Sequence, residues 1–91
     1  MTIRRAFSDA IVDAERERQG LQQRVDVHYA QATSLMDNSG EYGVRSDEDE
    51  RSISEAEANA ARATNRIGQI DVQIAKLNEM LAQFDEISSA A

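Results

Sequence analysis

The chain has 91 residues, no cysteine, no proline and a formal net charge of -7, and each of these limits what it can be. A chain this short buries only a modest fraction of its surface unaided, and without cysteine it has no disulfide staple, zinc ribbon, thiol nucleophile or redox motif. The acidic balance opposes a nucleic-acid backbone or an anionic membrane surface as partner, because both are held largely through Lys and Arg.

Ala, Glu, Gln, Arg and Ile are abundant, and the only aromatics are Phe7, Tyr29, Tyr42 and Phe84. Such a composition favours long helices over a bulky globular core. No apolar run approaches the roughly 20 residues of a membrane span. The segment Met1 to Asp9 carries two arginines but no apolar stretch of a secretory signal. The lack of cysteine is compatible with a reducing compartment, and a cytoplasmic location is the expectation.

The first predicted element is a helix from about Thr2 to about Asp37. Its apolar residues recur in alternating steps of three and four, the heptad signature, with d at Phe7, Ala14, Leu21, His28 and Leu35 and a at Ile11, Arg18, Val25 and Ala32. A loop is expected over about 38–45, where Asn38, Ser39, Gly40, Tyr42 and Gly43 break the rhythm with residues that tolerate turns. Asn38 or Gly40 is placed to close the first helix.

The second predicted helix runs from about Ser46 to about Ser88. Ser46 followed by Asp47, Glu48 and Asp49 offers an N-cap and an acidic first turn, and Ser52 with Glu55 offers a capping box one turn later, so the start is open between the two. Its heptads hold without a slip, with a at Ile53, Ala60, Ile67, Ile74 and Leu81 and d at Ala56, Ala63, Ile70, Leu77 and Phe84.

Folded back as an antiparallel coiled-coil hairpin, the two stripes match. Phe7 meets Phe84, Leu21 meets Ile70, His28 meets Ala63, Val25 meets Ile67 and Arg18 meets Ile74, so that d faces d and a faces a throughout. The fold class expected is all-α, a single helical-hairpin domain over residues 1–91. A second apolar seam is expected at the open end, where Ile3 and Ala10 lie level with Ile87 and Met80 beside Phe7, Ile11, Leu81 and Phe84. Covering it by pairing two copies into a four-helix bundle completes a core that one hairpin leaves thin. A different helical protein is the other candidate to cover it.

His28, the only histidine, is expected to be a packed polar core residue; the rival reading is a pH switch or a metal ligand shared across a dimer. Arg18 at an a position is expected to snorkel and pair with Glu15 or with an acid on a neighbouring helix, or to fix register. Arg24 and Arg66 fall at one level, where like charges repel unless they splay apart or a docking partner supplies a carboxylate. Gly20 and Gly68 interrupt the helices at outer positions at a cost of about 1 kcal/mol each relative to Ala, which a closely approaching backbone would explain.

Asp37, Ser39, Glu41 and Glu48 occupy ligand positions of an EF-hand-length calcium loop, but Tyr42 stands where its sharp turn needs glycine and Arg45 occupies a further ligand position. The midpoint Glu41, Tyr42, Gly43 also lacks the Trp-x-Gly arrangement of the WXG-type helical hairpins. No nucleophile and base pair, phosphate loop or metal-spaced cluster is found, so neither catalysis nor a cofactor is expected. The expected function is a non-enzymatic interaction or assembly subunit, an adaptor, chaperone or structural component presenting helix faces. The alternatives are an acidic inhibitor or decoy that blocks a basic site on a partner, and a calcium-responsive helical module.

Overall fold

Two hydroxyls near the chain's start and middle set where the helices begin. In the computed structural model, which describes residues 1–40 and 46–90, Thr2 Oγ1 accepts the backbone N–H of Arg5 at 3.1 Å and Ser46 Oγ accepts that of Asp49 at 3.0 Å. Each satisfies a donor that the first helical turn leaves without an intrahelical partner. Helix α1 then spans Ile3–Gly40 and α2 spans Asp47–Ala90. Asp47, Glu48, Asp49 and Glu50 fill the first turn of α2, where negative charge complements the helix dipole.

The two helices pack along each other as a rod of 72 × 17 × 15 Å. One straight helix of the whole chain would reach roughly 135 Å at about 1.5 Å per residue, so the chain is folded back. The expected hairpin is therefore the fold, with no strand among the described residues.

Two boundaries differ from expectation: helix α1 continues through Asn38 to Gly40, so Asn38 does not close it, and α2 runs to Ala90. Of the two starts open for α2, the one at Ser46 is used. Residues 41–45 of the expected loop lie outside the described residues. Asp37 and Ser39 accordingly sit on a regular helix rather than in the irregular segment that a calcium loop requires, and Glu41, Tyr42, Gly43 and Arg45 are outside the description. Much of the expected calcium loop therefore falls outside the described residues.

The core is made of the residues that the heptads select. Ala14, Val25, Ala32, Ile53, Ala56, Ala60, Ala63, Ile67 and Ile70 are buried, Ala60 and Ile70 completely. One cluster joins Val25, Ala63 and Ile67 with Leu21, and another joins Ala32, Ile53 and Ala56 with Leu35 and Met36.

These groupings move the stagger by roughly half a heptad from the expected pairing. Val25 sits level with Ala63, Ala32 with Ala56 and Leu35 with Ile53, so each a of α1 is opposite a d of α2. Two of the ion pairs between the helices lie close to that offset, Arg4 with Asp85 at 3.0 Å and Arg18 with Asp71 at 2.6 Å, while the long side chain of Arg66 reaches further along the rod to Glu17. Arg18 is thus paired with the residue that follows Ile70. Because side chains on both helices lean toward their own N-termini, antiparallel knobs pass between one another, and the a-to-d alternation lets them interlock.

Candidate interaction site

Burial divides the rod into two unlike halves. Every buried residue of α1 lies between Ala14 and Ala32 and every buried residue of α2 between Ile53 and Ile70. Toward the open end the same stripe carries larger side chains, yet Phe7, Ile11, Ile74, Leu77, Leu81 and Phe84 are only half-buried. Alanines fill much of the seam in the loop half, whereas the open half carries Phe and Leu side chains whose flanks stay exposed.

Of the residues expected to form an interface, Ile3, Met80 and Ile87 are 61%, 48% and 70% exposed, while Phe7, Ala10, Ile11, Leu81 and Phe84 are half-buried. The structure brings only some of them together. Ile3, Phe7 and Ala10 line an apolar groove with Ala6 and Leu77, whereas Met80 and Ile87 do not join it. Ile3 lies beside the Arg4–Asp85 pair, and Ile87 stands beyond that pair toward the end of α2. Ala6 and Leu77 were missed as groove residues. The signal for them is the aspartates of α2 that directly follow a d residue, Asp71 after Ile70 and Asp85 after Phe84, each answering an arginine at an a position of α1.

Arg18 thus takes the acid on the neighbouring helix rather than Glu15. Arg4 extends the same a series one step toward the N-terminus. The intervening positions beside the seam of α2 are Asn78 and Thr64, which are level with the apolar Ile11 and Val25. Acids occur where α1 presents an arginine.

A second groove lies halfway along the rod. It is lined by Leu21, Arg24, His28, Asn59, Arg62, Ala63 and Arg66. The small Ala63 beside His28 leaves the seam open there. Arg66 donates from Nε and Nη2 to the Glu17 carboxylate at 2.8 and 3.3 Å and from Nη1 to Gln69 at 3.3 Å. A partner within the chain therefore resolves the Arg24–Arg66 repulsion, and no external carboxylate is needed for Arg66. The hydrogen bond from Arg66 holds the Glu17 carboxyl below its usual range, with partial desolvation opposing and the cation's charge adding to the effect; the same bond raises Arg66. Arg62 donates to Asn59 Oδ1.

His28 Nδ1 is buried without a hydrogen-bond partner, an arrangement that costs on the order of 1–3 kcal/mol for a polar atom cut off from water. Among the described residues no group of His, Asp or Glu is placed to hold a metal ion. No described helix is long and apolar enough to cross a membrane. Open space surrounds Gly20 and Gly68, where an added Cβ meets nothing within 4 Å, so no partner-helix backbone among the described residues packs against either one.

Compared with protein-family models, curated proteins and solved structures, the chain finds no match.

Proposed function

We propose that this hairpin is a non-enzymatic assembly subunit that completes its core by pairing its open end with a second copy of itself. The observation carrying this reading is the burial gradient along the stripe, in which Phe7, Ile11, Leu77, Leu81 and Phe84 at the open end are only half-buried while the stripe toward the loop is mostly buried. Ile3, Phe7, Ala10, Met80, Leu81, Phe84 and Ile87 expose apolar surface toward the open end of the rod, and apolar exposure concentrated in this way supports a contact surface. A second copy is the occupant because an apolar face is complementary to itself under two-fold symmetry, and pairing two hairpins gives a four-helix bundle. The charge of the chain supports a protein partner over nucleic acid. The lack of cysteine supports a cytoplasmic setting.

Light scattering tests the proposal. The expected mass at micromolar concentration is twice that of the 10.1 kDa chain. Replacing the exposed Ile3→Asp and Ile87→Asp together removes no buried contact of the single hairpin, so this variant is expected to stay helical and run as a monomer. A wild-type chain that is fully helical and monomeric at the same concentration overturns self-assembly.

A further inference from the structure

We propose that the groove between Arg24, Arg62 and Arg66 is a binding site for a single dianionic phosphate group, free or as a small phosphate monoester. The site stands on a different part of the rod from the assembly surface and does not depend on that reading.

The first observation is charge that the chain leaves uncompensated. Arg66 has Glu17, but Arg24 has no carboxylate partner among the described residues, and Arg62 has only the neutral amide of Asn59. The sequence keeps acids away from both. One helical turn before and after Arg24 stand Gly20, Leu21, Val27 and His28; around Arg62 stand Ala58, Asn59, Asn65 and Arg66. From Ala58 to Ile70 α2 carries no acid at all, in a chain with 17 Asp and Glu.

Geometry then converges the cations. Arg62 and Arg66 are four residues apart and share a face of α2, and the stagger sets Arg24 level with the residue midway between them, Thr64. All three line one groove of about 280 Å³, room for several groups the size of a water at roughly 30 Å³ each. The Asn59 amide and the His28 ring complete the lining.

The ligand class follows from the count of charges. Two uncompensated guanidinium groups match a phosphate monoester, which carries about -1.5 to -2 near neutral pH; a single carboxylate leaves one cation over. Guanidinium forks also fit the oxygens of a phosphate in pairs. A polyanion is disfavoured because the rest of the chain is strongly acidic, which confines the ligand to one small charged group. Leu21 and Ala63 give the groove an apolar wall against which the organic part of a monoester can lie.

The test is a titration of the full, isotope-labelled chain with inorganic phosphate and, separately, with phenyl phosphate, at ionic strength held constant with chloride. The signals followed are the arginine Nε–H groups and the His28 ring. Saturable shifts confined to Arg24, Arg62, Arg66 and His28 are expected with one or both probes; inorganic phosphate alone sufficing identifies the free ion, and phenyl phosphate alone identifies the monoester. Affinity should fall about tenfold in Arg24→Gln and further in Arg24→Gln with Arg62→Gln. Arg16→Gln, outside the groove, should bind as the wild type does. These arginines are exposed, and circular dichroism verifies that each variant keeps its helices. The proposal is overturned by shifts that never saturate with either probe, by unchanged affinity in the double variant, or by acetate binding as tightly as phosphate.

Discussion

At the scale of single residues, the two interior glycines give the plainest forecast. Since a methyl group at Gly20 or Gly68 meets only open space, Gly20→Ala and Gly68→Ala should each stabilise the protein by about 1 kcal/mol through helix propensity alone. For a domain of this size that raises the thermal midpoint by about 4–8 °C, read by circular dichroism; no change or a loss would mean that another chain packs against the glycine. Glu17 makes a prediction of a different kind. Its carboxyl is held below 4.5 chiefly by the hydrogen bond from Arg66, so its contribution to stability is complete above that value and disappears as the pH falls through the lowered one. The midpoint difference between wild type and Glu17→Gln should therefore be largest near neutral pH and vanish in acid, and a difference independent of pH would break the link. Arg18 was legible as an a-position arginine that snorkels, but its partner was not. Glu15 is nearer in sequence, and only the stagger makes Asp71 nearer in space.

Among elements, the starts of the helices were easier to read than their relative level. A side-chain oxygen three residues before an amide in need of an acceptor is a local signal, and Thr2 and Ser46 both use it. Ser52 offered the same local pattern. It lost because four acidic residues follow Ser46 directly and extend α2 by a turn. Ser46→Ala should accordingly cost about 1 kcal/mol, whereas Ser52→Ala, within the helix, should cost far less; equal losses in thermal melts would move the helix start to Ser52. The end of α1 was misjudged for a related reason. Asn38 and Gly40 tolerate a turn but do not compel one, and the packing of Leu35 and Met36 against Ile53 supports the helix up to that point.

For the whole molecule, periodicity identified the buried stripe on both helices but left their sliding position undetermined. An a–d heptad matches itself at every half-repeat, so pairing a with a reads as well on paper as pairing a with d; the apolar clusters around Val25 and Ala32, together with the ion pairs of Arg4 and Arg18, favour the second. The apolar end was only partly legible as well. Its members were named, but Ile87 stands beyond the Arg4–Asp85 pair and Leu77 joins Ile3 and Ala6 instead. A hairpin with so little buried at this end gains from association, and the gain is measurable without knowing the geometry of the pair. If folding and dimerisation are coupled, a tenfold rise in protein concentration adds about 1.4 kcal/mol of apparent stability to the dimer. The thermal midpoint should then climb by several degrees over a hundredfold dilution series. Ile3→Asp with Ile87→Asp should lower the midpoint at high concentration and remove its dependence on concentration, because an aspartate brought into an apolar interface must shed its hydration without a partner. A wild-type midpoint that stays flat across the series would leave the hairpin as a self-sufficient monomer, its open end exposed without a second copy.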